Sequence, residues 1–243
     1  GLPVFKLVPA GDRVLALADV VAWEIVPRAG PAGGPWLNVP ALTSPDAALE
    51  LPAPEPADSE PGAVLVFLGD VVPGRSMEAQ LARYGPAYPW AGLGPLLRPA
   101  DLAVANLESV LSTRGQAMSK QYLIRAHPRW GQTVVEAGID VVTLANNHAL
   151  DFGQAGLDDT LSTMRALGVE TIGAGASAAE ARRPALFMLN GIRVALLGYA
   201  AARWYGSPDV PATDRIAWAE PEQVQADVRA ARQEADVVVV VVH

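Results

Sequence analysis

The chain is 243 residues long, 51% hydrophobic and 18% charged, with a formal net charge of -8 and no cysteine. This is enough apolar material for one large globular domain or a domain plus part of another. The lack of cysteine excludes disulfides, thiolate nucleophiles and Cys-ligated zinc. The acidity, with no Lys/Arg cluster, argues against a nucleic-acid partner.

Residues 1–50 are β-rich, with a turn at 9–12 and a loop at 28–36, and read as the closing part of a preceding domain. Residues 51–62, LPAPEPADSEPG, carry four prolines among acidic and small residues and read as an interdomain linker. From residue 63 to 243 short apolar runs alternate with amphipathic segments. Runs at 63–69, 101–106, 139–145 and 236–242 predict buried strands, because apolar side chains occupy both faces. Helices are predicted near 76–84, 128–137, 154–167 and 220–234. A short strand at 169–172 precedes a hairpin at 184–200, whose Asn190-Gly191 pair suits a tight two-residue turn. The alternation predicts an α/β domain with one largely parallel sheet. No run approaches the roughly 20 apolar residues that cross a bilayer. The chain opens on Gly1 and stops at His243 directly after a strand, which predicts a fragment of a longer protein.

In such sheets ligands gather beyond the carboxyl ends of the strands. Asp70, then Asn106 and Glu108, then Asn146, Asn147, His148 and Asp151, and lastly His243 all follow apolar runs. Each alone is compatible with a turn or a helix cap. Together they form a set of oxygen and nitrogen donors, without sulfur, of the kind divalent ions accept. A centre of one or two ions follows as an expectation, with Mn, Fe, Zn or Mg all compatible. Trp130, Trp204, Tyr205 and Trp218 read as core or rim residues. Asp158 and Asp159 read as helix-dipole partners in a first turn. Asp140 reads as solvated.

FLGDVVPGR (67–75), ANLESVLS (105–112), YLIRAHP (122–128), ANNHALDFGQAGLDDTL (145–161) and VVVVVH (238–243) resemble, in order and spacing, the CapA family of bacterial capsule and poly-γ-glutamate synthesis proteins. That family is similar to calcineurin-like metallophosphoesterases, and the resemblance spans about residues 63–243. It implies a metallophosphoesterase-like layered sheet domain, incomplete at its C-terminus. Asp70, Glu108 or Asn106, Asn147 and His243 would be metal ligands, and His148 with Asp151 would be catalytic. Arg75 and Arg125 would grip an anionic polymer or phosphoester substrate. It further implies a cell-envelope, extracytoplasmic and membrane-associated location, with a membrane synthesis and export complex as partner.

Two departures from the phosphoesterase pattern bear on activity. Val72 stands where such enzymes carry a histidine two residues past the first aspartate, and Ala149 separates His148 from the next acid, Asp151. Two functions are therefore carried forward: a metal-dependent hydrolase or transferase, and a non-catalytic scaffold of a polymer synthesis machine. An unrelated cytosolic hydrolase would need only the same crevice.

Overall fold

The computed structural model describes residues 4–7, 15–16, 62–201 and 214–243. In chain order the elements are β1 (Val4–Leu7), β2 (Leu15–Ala16), β3 (Ala63–Val71), α1 (Ser76–Tyr84), α2 (Gly94–Leu97), β4 (Leu102–Leu107), β5 (Val110–Leu111) and β6 (Arg125–Ala126). They continue with α3 (Gln132–Ala137), β7 (Val141–Thr143), α4 (Gly153–Ala166), β8 (Glu170–Ile172), α5 (Ala178–Ala181), β9 (Ala185–Leu189), β10 (Ile192–Tyr199), α6 (Pro221–Ala231) and β11 (Val237–Val242). The predicted turn at 9–12, the loop at 28–36, most of the linker (51–61), and Trp204 and Tyr205 lie outside the described residues.

The strands form two principal sheets where the sequence suggested one. The first has the order β1-β3-β4-β7-β8 and the second β2-β11-β10-β9. β3, β4, β7 and β8 run parallel, as the apolar runs implied. β11 does not join them; it lies parallel to β10 in the second sheet. Strand pairing across long sequence separations carries no local pattern, so the second sheet was not visible in the periodicity. β1 lies antiparallel along β3 and β2 lies parallel along β11, so two pieces of the N-terminal region form edge strands of these sheets.

Side chains alternate across each strand, and this sorts the core into layers. Leu65, Phe67, Leu102 and Val104 from the first sheet meet Ile192, Val194, Leu196 and Val239 from the second in one apolar cluster between the sheets. The opposite faces bury Val66, Ala105 and Leu107 under α1, α3 and α4, and Ala195, Leu197, Tyr199 and Val238 under α5 and α6. Two sheets packed face to face, with helices outside, account for runs that are apolar on both faces.

Local details follow from the residues. Asn190 (φ 51) and Gly191 (φ 86) form the predicted tight turn of the β9–β10 hairpin. The segment 128–137 divides into a short 3-10 turn starting at Pro128 and helix α3, which ends at Gly138 in left-handed geometry. Helix α4 begins at Gly153, so Asp158 and Asp159 sit in its second turn, outside the reach of the terminal dipole. They are ion-pair partners instead, Asp158 of Arg215 and Asp159 of Arg114. Asp140 is also more than solvated: its Oδ2 accepts the Ala103 N–H at 2.8 Å, which ties the start of β4 to the start of β7. Trp130 is buried in the core and Trp218 packs against it.

Candidate metal centre

Parity along the strands brings the candidate residues to one edge of the inter-sheet layer. Asn106 continues the inward-facing series Leu102, Val104. β3 would present Asp70 to the opposite face, but its register against β4 shifts between Phe67 and Asp70, so that Asp70 pairs with Asn106. The extra residue of this bulge reverses the alternation and turns Asp70 inward. His243 continues the inward series of Val239 and Val241 in β11, and therefore approaches the same edge from the other sheet.

The contacts are direct. Asn106 Nδ2 donates to Asp70 Oδ1 at 2.8 Å and lies 3.1 Å from His243 Nδ1. His243 Nδ1 is 3.6 Å from Asp70 Oδ1, and its Nε2 is 3.6 Å from Glu108 Oε1 and 3.1 Å from Asn147 Oδ1. Asn106 thus presents its amide nitrogen to Asp70 and His243, while its oxygen accepts from Asn146 Nδ2 at 2.9 Å.

Buried Asn146 holds the next loop together. Its Nδ2 also donates to the Leu107 carbonyl at 2.9 Å, and its Oδ1 accepts the His148 N–H at 3.0 Å. The loop sits on the end of β8 because Gly173 lies there: a Cβ at that position, where φ is 81°, would fall 2.4 Å from Ala145 Cβ. His148 is buried, with Nδ1 2.6 Å from Asp151 Oδ2 and Nε2 3.7 Å from Glu108 Oε1. The Asp151 side chain has no exposed surface; it accepts the Ile124 N–H at 2.6 Å and pairs with Lys120 Nζ at 2.6 Å. Lys120 also donates to the Asn147 carbonyl at 2.8 Å. Lys120 carries no recognisable pattern, since it lies in a stretch between β5 and β6 without helix or strand.

Arg75 and Arg125 are exposed and neither forms an ion pair among the described residues. The Arg75 guanidinium lies 5.8 Å from the Tyr122 ring centroid, and that of Arg125 lies 4.0 Å above Phe152, the neighbour of Asp151. Arg75 has φ 57 and ψ -134, a backbone conformation that side chains with a Cβ rarely adopt.

Burial first, and then the charge of Asp70, push the Glu108 carboxyl above its ordinary value of 4.5, with His148 and His243 opposing. Two carboxylates held this close favour a cation between them. One donor atom each from Asp70, Glu108 and His243 lies within 4.8 Å of the others. Two oxygens and an imidazole nitrogen, without sulfur, suit Mg, Mn, Fe or Zn. By donor chemistry and spacing, the residues fit a divalent ion.

A profile described as "Bacterial capsule synthesis protein PGA_cap" matches residues 64–243. The chain is 30% identical over 142 residues to "Capsule biosynthesis protein CapA" of Bacillus anthracis, covering 57% of this chain and 34% of that protein. It is 26% identical over 180 residues to "PGA biosynthesis protein CapA" of Bacillus subtilis strain 168, covering 73% and 47%. A "Probable polyglutamine synthesis accessory protein" of Mycobacterium tuberculosis is 33% identical over 147 residues, covering 58% and 39%. The matches therefore span between about a third and a half of these relatives' lengths.

Proposed function

The chain belongs to the bacterial capsule synthesis family PGA_cap, and from that premise we propose that it is the metal-dependent catalytic part of a protein that hydrolyses or transfers a bond in an anionic cell-envelope polymer. The observation that carries this reading is the convergence of Asp70, Glu108 and His243, from two sheets, on one edge beside His148. Poly-γ-glutamate is the substrate class of this reading, and the Bacillus subtilis relative is named for PGA biosynthesis. The site of action is the cell envelope, outside the cytoplasm, in association with a membrane synthesis and export complex. No described helix is long and apolar enough to cross a membrane.

In this mechanism Asp70, Glu108 and His243 would hold the ion, and Asn147 Oδ1, 3.1 Å from His243 Nε2, would be a further oxygen available to it. A bound divalent ion would polarise the scissile group and lower the pKa of a water. Asn106 acts through its N–H groups, fixing Asp70 and His243 as outer-shell partners fix ligands. His148 is oriented by Asp151 at Nδ1, which directs Nε2 toward the site, where it stabilises developing charge or gives a proton to the leaving group. Asp151 is a positioning residue, and Lys120 holds it in place. Arg75 and Arg125 orient carboxylates of the polymer.

The layering of two sheets between helices supports a metallophosphoesterase-like domain, and the Pro-rich composition of 51–62 supports reading that segment as a linker from a preceding β-rich region, two pieces of which, β1 and β2, lie on the edges of the domain's sheets. The scaffold reading is favoured by one feature: Val72 occupies the position of an expected histidine ligand, which leaves a smaller donor set.

The test is turnover of poly-γ-glutamate and of a generic phosphodiester by the full-length protein with added Mn²⁺, comparing wild type with Asp70→Ala and His148→Ala. Metal-dependent turnover lost in both variants is the expected result. Turnover unaffected by both substitutions would end the catalytic reading.

A further inference from the structure

We propose that the protein carries a second oxyanion site, away from the metal centre, in a cleft between α4 and α5 that takes a single carboxylate-bearing unit of the polymer. The identity of the ligand as a polymer carboxylate rests on the function proposed above; the cleft itself does not.

The cleft has a volume of about 150 Å³ and is lined by Asp158, Ser162, Arg165, Glu180, Arg183 and Arg215, among others. Asp158, Ser162 and Arg165 lie on one face of α4 at helical spacings of four and three, so they point together. Arg215 is 9% exposed and fixed: its Nη2 donates to Asp158 Oδ1 at 2.5 Å and its Nε to the Gly175 carbonyl at 2.9 Å. Glu180 is occupied by the Ala176 N–H at 2.8 Å. Arg183 reaches Glu170 only at 3.4 Å, with both side chains largely exposed. Arg165 has no ion-pair partner among the described residues.

The cleft therefore combines a rigid floor with two adaptable guanidinium groups, in a chain whose net charge is -8. Arginine forks match the two oxygens of a carboxylate or phosphate, and exposed, weakly engaged ones are available to a ligand. Size limits the occupant. The volume is below the roughly 300–1,000 Å³ of pockets that enclose whole drug-sized ligands, so it suits one oxyanion-bearing group. Helix α4 starts two residues after Asp151, and at 1.5 Å per residue Arg165 is roughly 18 Å along it from Gly153. An extended chain lying beside α4 would reach both places, with the metal centre acting on one unit and the cleft holding another.

The experiment is calorimetric titration of the full-length protein, without metal, using a γ-linked glutamate oligomer in one arm and inorganic phosphate in the other. Wild type is compared with the double variant Arg165→Ala/Arg183→Ala, with Arg75→Ala/Arg125→Ala and with Asp70→Ala. Oligomer binding weakened at least tenfold in Arg165→Ala/Arg183→Ala and retained in Asp70→Ala is expected. Phosphate binding with the same dependence, and no oligomer binding, would keep the oxyanion site and remove the polymer as its ligand. Binding of both probes unchanged in Arg165→Ala/Arg183→Ala, or absent in wild type, overturns the proposal. An inert metal centre would leave the cleft result intact, and an empty cleft would leave metal-dependent turnover of a small phosphodiester intact, so the two readings fail separately.

Discussion

His148 Nδ1 lies 2.6 Å from Asp151 Oδ2, and the same carboxylate holds Lys120 at 2.6 Å and the Ile124 N–H at 2.6 Å. One fully buried acid thus organises the imidazole, a lysine and the backbone entering β6. Asp151→Ala would leave the largely buried Lys120 ammonium and a backbone donor unpaired, and we expect a loss of about 3 kcal/mol in denaturant unfolding. Asp151→Asn keeps an acceptor for Ile124 and is expected to lose less. Equal stability of wild type and Asp151→Ala would contradict this role.

Asn106 touches Asp70, His243 and Asn146 at once. Its replacement by alanine removes the N–H groups that fix two proposed ligands without removing a ligand. Mn²⁺ affinity measured by equilibrium dialysis should fall by about 10- to 100-fold, the range of outer-shell losses. Unchanged affinity would mean that the ligands are held by other contacts.

Glu108 gives the metal-free protein a defined pH dependence. Its folded pKa is raised above 4.5, so its contribution to stability is fully present below 4.5 and is lost as pH rises through the folded value. Glu108→Gln removes this titration. The metal-free variant should match or exceed wild type in thermal stability at neutral pH, and its stability should change less over that window, while its Mn²⁺ affinity falls. A variant less stable than wild type at neutral pH would oppose the assignment.

Arg75 sits before α1 in a conformation suited to glycine, at φ 57 and ψ -134. Such strain is worth on the order of 1–3 kcal/mol and is retained where a side chain is needed. Arg75→Gly should raise stability by about 1 kcal/mol relative to Arg75→Ala, while both weaken polymer binding to the same extent. Equal stability of the two variants would remove the strain argument.

The separate residues of the candidate site are legible in the sequence because they follow apolar runs. What the sequence could not supply was the reason they meet. The apolar runs put His243 at the end of the same sheet as Asp70 and Asn106, yet it arrives from the second sheet, across the inter-sheet core. Asp70 faces inward only because of the bulge between Phe67 and Asp70, and no residue in LGD announces it. The residue string offers Asn106 as a ligand, whereas in the fold its nitrogen faces Asp70 and His243 while its oxygen accepts from Asn146, forty positions later. Lys120 is not legible there, because an isolated lysine in an irregular stretch has no periodicity to read. The hairpin turn at Asn190-Gly191 was legible because it depends on two adjacent residues alone.

The most direct measurement is Mn²⁺ binding to the full-length protein by equilibrium dialysis or electron paramagnetic resonance, comparing wild type with Asp70→Ala and His243→Ala. Saturable binding by wild type, with each substitution lowering affinity by more than about 100-fold, beyond what an outer-shell change gives, is the predicted result. No specific binding by wild type, or binding as tight in both variants, would contradict a metal centre built from these residues.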